Sequence, residues 1–335
     1  MAKIIDIIKN AGEVDVTAGI VEEVVKAVPE IQFFDAATIK GTTVSTLART
    51  SLPTVAFRSI GDPVSSSRSA FEKRTAELKM LSGRAEISDA EITANPLMTK
   101  DEQCVDEAVA TLTAAFKALA RQLWYGTGAD AKGFAGAAAL VDAAMVTKAG
   151  AGDAADTNTS VWFVGNDAKT ECGLLFSENS KLLSATDVEF RHGDIAIKTK
   201  QKKTVAVGDN SAEVEFEAVT GVEPGWIGDL TSWAAFHLAN KHRLARLCNV
   251  TATTGLTDGM LRDCIEAYAQ VNDGVMPKAI FMSYGARKML RKSRTLTLAI
   301  KNGANAVVEA PTVVDVDGIP VIATNALLDT EAKVA

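Results

Sequence analysis

Val105, Ala108, Val109, Leu112, Ala115, Phe116, Leu119 and Leu123 recur at three- and four-residue steps, which predicts a helix over 99–124 with one apolar stripe. The opposite face carries Asp106, Glu107, Lys117, Arg121 and Gln122 and is expected to meet solvent or a neighbour. Thr99 followed three residues later by Glu102 reads as a capping box, Asp101 and Glu102 place negative charge at the positive end of the helix dipole, and Gly126 ends the helix. At ~1.5 Å per residue such a helix runs to roughly 35 Å, long enough to act as a spine for the rest of the chain.

The flanking patterns are different. Residues 1–28 carry Ile4, Ile5, Ile7, Ile8 and then Ile20, Val21, Val24, Val25 and Val28, broken by Gly12 and Gly19, and predict two short helices that need a surface to lie on. Pro29 is expected to end the second, with Phe33 and Phe34 following as anchors. From Gly41 to Ser88 the texture changes. Thr42 to Leu47 and Leu52 to Phe57 favour extended structure, Gly61-Asp62-Pro63 and Ser65 to Ser69 make a flexible tip, and the chain returns through Phe71 to Ile87 with charges scattered along it. This two-armed excursion is too polar to hold a core. A two-stranded ribbon is marginal alone in water, so it is expected to lean on another surface, that of another subunit.

Beyond Gly126 a run of small residues predicts loop, and Val161 to Val164 a buried strand. Val188 to Lys200 and Ala212 to Val219 predict a hairpin turning at Gly208-Asp209-Asn210. Leu230, Trp233, Ala234, His237, Leu238 and Lys241 fall at helical spacing over 230–245. A second helix is expected over 256–271, capped by Thr257 and buried through Met260, Leu261, Cys264, Ile265 and Tyr268. A strand at 279–282, a basic helix from Tyr284 to about Ser293, and a hairpin turning at Asp317-Gly318 into Ile319 to Ala323 complete an α+β chain with antiparallel pieces.

With 335 residues, 47% of them hydrophobic, the chain can bury a sizeable core in two domains, or in one with elaborations. Its formal charge of -7 argues against a general electrostatic grip on nucleic acid. The basic run Lys198 to Lys203 has no interleaved aromatic residue and reads as a solvated hairpin arm. Four cysteines lie far apart without CxxC spacing, as buried reduced thiols do. No stretch predicts a secretion signal or a membrane span. His192, His237 and His242 form no metal-spaced cluster, and no dinucleotide-binding, phosphate-binding or nucleophile-elbow motif occurs. The four tryptophans read as core or interface residues. Catalytic, cofactor and metal sites are therefore expected to be absent, and no reaction is proposed.

The order of elements carries more than any motif: an N-terminal arm, a long extended loop, a spine helix and a mixed region ending in a hairpin. That order resembles the major capsid proteins of tailed bacteriophages with the HK97-type fold, over essentially the whole chain. The more specific likenesses are the return arm Phe71-Glu72-Lys73-Arg74 through Arg84, the segment Ser160 to Val164 leading to Gly173-Leu174-Leu175-Phe176, and Asp317 to Val321. The resemblance implies an arm over 1–41, an E-loop over 42–90, and a peripheral domain over 91–159 completed by about 215–255 and 313–335. An axial domain is implied over 160–214 and 256–312.

It further implies hexamers and pentamers in an icosahedral head around double-stranded DNA, a portal protein at one vertex, and a virion protein assembled in the host cytoplasm. Phe57, Arg58, Arg68, Phe71, Lys73, Arg74 and Lys79 are the expected subunit-interface residues of the E-loop. Separate scaffolding and decoration proteins stay open, and no residue is assigned to the Lys–Asn cross-link found in some members. With Met1 in place and only about 40 residues before the loop, no cleaved scaffolding segment is expected. The rival readings are an encapsulin-like compartment shell and a soluble enzyme of unrecognised type.

Overall fold

The computed structural model describes residues 28–60, 62–64, 66–94, 99–165, 172–178, 188–207, 210–294, 296–299, 305–308 and 312–334, with the side chains of 197–217, 296–299 and 305–308 left aside. The two helices expected before residue 28, the turn at 208–209 and the side chains of the basic run 198–203 lie outside the described residues.

The spine helix, α3, spans Lys100–Tyr125. Its capping box is formed: the Thr99 side chain accepts from the Glu102 N–H, and the Glu102 carboxylate accepts from the Thr99 N–H at 2.7 Å. Only its C-terminal half is deeply buried, through Ala115, Phe116, Leu119, Ala120, Leu123 and Trp124. Val105, expected in the stripe, is exposed, while its neighbour Cys104 is the buried residue of the N-terminal turns. Gln122, expected on the polar face, is buried and donates to the Phe134 carbonyl at 2.7 Å, which folds the small-residue loop back onto the helix.

The helix that Pro29 is expected to end lies outside the described residues, and the residue has a second part. It starts a short helix, α1 (Pro29–Phe33), at the position where a fixed φ and a missing N–H cost nothing. Phe34 is fully buried against Trp124, Phe236 and Phe281, with ring centroids 5.7–6.0 Å apart, so the anchoring role expected of this pair is met.

Two sheets carry the body. The five-stranded sheet joins β1 (Asp35–Ile39), β7 (Cys172–Ser177), β9 (Asn210–Leu238) and β4 (Lys79–Ser88) in that order, with β8 (Glu189–Val207) also paired to β9. The 230–245 stretch is therefore not a helix. Leu230, Ala234, Ala235, Phe236 and Leu238 belong to β9, whose end from 234 to 238 is buried on both faces, so the alternation that distinguishes a strand from a helical run is lost there. The hairpin of β8 and β9 forms in antiparallel register from Glu189↔Asp229 to Val207↔Asn210.

The six-stranded sheet runs β14 (Asp315–Val316), β15 (Ile319–Ala323), β11 (Ala279–Met282), β6 (Thr159–Val164), β10 (Leu244–Val250) and β5 (Val146–Lys148). All six residues of β6 are buried because both faces of this sheet are covered. Trp162 and Val164 face a core shared with α1, α3 and the five-stranded sheet, while Val161 and Phe163 face a second core closed by α5 (Asp258–Val271) and α6 (Tyr284–Ser293). Thr257 caps α5, and Asp317 and Gly318 supply the positive φ values of 51° and 80° that the last hairpin turn requires.

Candidate subunit interface

The excursion expected between 41 and 88 is two different things. β2 (Thr43–Ser51) and β3 (Ala70–Glu77) pair antiparallel from Thr43↔Glu77 to Ser51↔Ala70, as a two-stranded sheet separate from the others. The return arm does not continue as ribbon to Ile87. Leu78, 2% exposed, packs with Leu175 and Ala235, and its N–H donates to the Thr42 carbonyl at 2.8 Å. From Lys79 the chain becomes β4, in register with β9. Leu78 is thus the root at which a free ribbon passes into the body.

The ribbon has two unlike faces, because residues opposite one another across an antiparallel pair share a side. Val44, Thr46, Ala48, Glu72, Arg74 and Ala76 form the face nearer the body, where Val44 and Ala76 pack on the cluster around Leu78. Arg74 binds here: its guanidinium pairs with Glu72 at 2.8 Å and donates to the Ala239 carbonyl. Lys241 approaches the same carboxylate at 3.5 Å. Hydrogen bonds and charge from Arg74 hold the Glu72 carboxyl below its usual range.

The other face carries Ser45, Leu47, Arg49, Phe71, Lys73 and Thr75. Leu47 is 75% exposed and Phe71 57%, with the Arg49 guanidinium 5.3 Å from the Phe71 ring centre. Beyond Ser51 the chain leaves the ladder, so Leu52 to Phe57 form no strand. A turn is closed by the Arg58 guanidinium on the Asp62 carbonyl at 2.6 Å and the Ser59 N–H on the Asp62 carboxylate at 2.9 Å. Here Val55, Phe57, Ile60 and Val64 stand almost wholly in solvent.

The structure distributes the seven expected interface residues along this ribbon. Phe57, Arg58 and Arg68 lie at the exposed tip, and Phe71 and Lys73 share the outer face. Arg74 is committed to its own chain at the root, and Lys79 opens β4 with its ammonium 2.7 Å from Glu77. Leu47, Leu52, Val55, Ile60 and Val64 were not singled out in the sequence. Their signal was there: large apolar residues in a segment with no periodicity and no partner.

The described residues contain no group of three His, Cys, Asp or Glu able to hold a metal. No described helix is long and apolar enough to cross a membrane. All four cysteines are free and buried, and burial pushes the Cys264 thiol up to about 11. Burial also lowers the His237 pKa, while His192 sits 2.8 Å from Asp89 and edge-on to Trp226.

A family model described as major capsid protein GP7 matches residues 10–204. The solved structure of bacteriophage Epsilon15 is 18% identical, covers 92% of this chain and 88% of its own, and superposes with a TM-score of 0.57. That of Mycobacterium phage Adephagia is 11% identical over 66% of this chain and 89% of its own, with a TM-score of 0.42. The SrpI encapsulin complex of Synechococcus elongatus is 7% identical over 67% and 87%, with a TM-score of 0.40. No curated protein matches by sequence.

Proposed function

The chain belongs to the major capsid protein GP7 family, and from that premise we propose that its ribbon is the element by which one subunit holds the next. The protein is a structural subunit of a phage capsid, with the HK97-type fold, and is a component of the virion. On our reading the free ribbon, the 42–78 part of the expected 42–90 stretch, acts as the E-loop of an icosahedral head built from hexamers and pentamers around double-stranded DNA. The arm and the peripheral and axial divisions follow the boundaries given above, a portal occupies one vertex, and assembly takes place in the host cytoplasm. We assign the subunit no catalytic role.

One observation carries the ribbon's part in this. Its outer face and tip expose Leu47, Val55, Phe57, Ile60 and Phe71, and its strands pair with no other strand among the described residues. Covering a side chain such as Phe57 contributes about 1.5–3 kcal/mol, and a shell offers that contact once per subunit. Deleting Asp62 to Ala70 tests the reading. The subunit should stay soluble and folded while electron microscopy shows fewer or less stable particles. Shells of unchanged yield and melting temperature would refute it.

A further inference from the structure

Glu30 lies where three parts of the chain converge. It stands on α1, is 1% exposed, and accepts a hydrogen bond from the Trp124 indole N–H of α3 at 3.1 Å. Thr324, just past the end of β15, lies beside the carboxyl, yet the second oxygen, Oε2, is buried without a well-formed hydrogen bond. A cavity of about 280 Å³ adjoins it, lined by Val28, Glu30, Lys117, Arg121, Thr324 and Asn325. The charged groups on that lining are Lys117 and Arg121, both on the exposed side of α3, and Thr324 and Asn325 bring nothing titratable.

An ionised carboxylate with one orphaned oxygen is costly in such a place, and a neutral carboxyl is not. Burial accordingly holds the Glu30 carboxyl above its ordinary value of 4.5, and the hydrogen bonds from Thr324 and Trp124 only partly offset it.

We propose that Glu30 is a proton-operated clasp that seats α1 on the spine helix. Protonated, it keeps α1 seated on Trp124. When its proton passes to solvent, the charged group moves out toward the cavity and loosens α1 and the start of β1.

The sign follows from linkage. The contribution of Glu30 to stability is fully present below pH 4.5, its unfolded value, and is lost as pH rises through the higher folded value. His237 acts oppositely: burial lowers its pKa, so its contribution is present above 6.5 and is lost as pH falls. Because both groups tilt stability with pH, the readout must be the difference between the wild type and Glu30→Gln, which keeps the shape and an acceptor for Trp124 but cannot ionise.

Thermal unfolding of the two full-length chains should coincide near pH 4. Above pH 4.5 the variant should become progressively the more stable, by up to about tenfold in the unfolding constant per pH unit until the folded value is passed. Limited proteolysis should cut the wild type within residues 28–41 faster than the variant at pH 8 and equally fast at pH 4. A pH-independent difference, or a variant less stable than wild type at pH 8, would overturn the proposal. Glu30→Met gives an independent reading with an apolar side chain of similar length. If neither variant accumulates as folded protein, the claim that a neutral group is what this site accepts is refuted.

Discussion

At the scale of single residues, the body is tied together by a few polar side chains that reach across long stretches of sequence. Glu331 pairs with Arg246 at 2.9 Å, accepts from the Tyr125 hydroxyl at 2.6 Å and from Ser160, and both charged side chains are nearly buried. Tyr125 also accepts from the Leu328 N–H, and burial beside Glu331 raises its pKa. Removing one partner of such a pair strands the other charge. Glu331→Gln should therefore lower subunit stability by about 3–5 kcal/mol in denaturant unfolding, and Arg246→Met combined with it should recover part of the loss. An exposed pair such as Arg262 with Asp317 at 2.9 Å gives a control whose loss costs at most about 1 kcal/mol. Gly126 is a second sensitive point: at φ 56° and ψ -129°, a Cβ there would lie 2.2 Å from the Gly136 backbone nitrogen. Gly126→Ala should leave little soluble protein on expression.

At the scale of elements, what was legible in the sequence was whatever meets one environment along its length. α5, α6 and the turn at Asp317-Gly318 each have one buried side and their own caps or turn residues, so local pattern and tertiary context agree, and α3 was legible through its capping box and the apolar positions of its C-terminal half. β9 pairs along both of its edges instead, and the stretch from Leu230 to Leu238 read as a helix because burial on both faces erases the period of two from Ala234 to Leu238. The root of the ribbon was hidden for a related reason: nothing local to Leu78 announces that β3 and β4 serve different sheets, since the pairing of β4 with β9 spans more than a hundred residues. The ribbon itself was legible as an unsupported excursion, and of its exposed apolar tip Phe57 was singled out while Val55, Ile60 and Val64 were not. On α3 the uneven burial sets the order of effects. Phe116→Asp should cost several kcal/mol and deplete folded subunit, Leu112→Asp less because that position is only half-buried, and Arg121→Ala within about 0.5 kcal/mol. Equal loss in all three, measured as soluble yield and thermal midpoint, would mean that the buried face is misassigned.

At the scale of the whole molecule, the ribbon and the body differ in charge. Residues 43–77 hold five Lys or Arg against three Asp or Glu, a net +2, which leaves -9 for the rest of a chain at -7. Two acidic bodies repel, whereas a positive ribbon approaching a neighbour's acidic body is attracted over roughly a Debye length, about 8–10 Å at moderate salt. Charge on an exposed rim acts mainly on the rate of encounter, and apolar contact, once made, on how long it lasts. The exposed Arg58, Arg68 and Lys73 belong to the first effect, and Val55 and Phe57 to the second. Reversing the three cations to Glu should leave the subunit fold intact and slow assembly followed by light scattering, and added salt should slow the wild type toward the same rate. Val55→Ser with Phe57→Ser should assemble at a similar initial rate but give particles that melt at a lower temperature, closer to that of free subunits, since binding stabilises only by the affinity it has. If the charge reversal assembles as fast as wild type at low salt while the apolar pair alone alters the rate, the two roles are assigned the wrong way round.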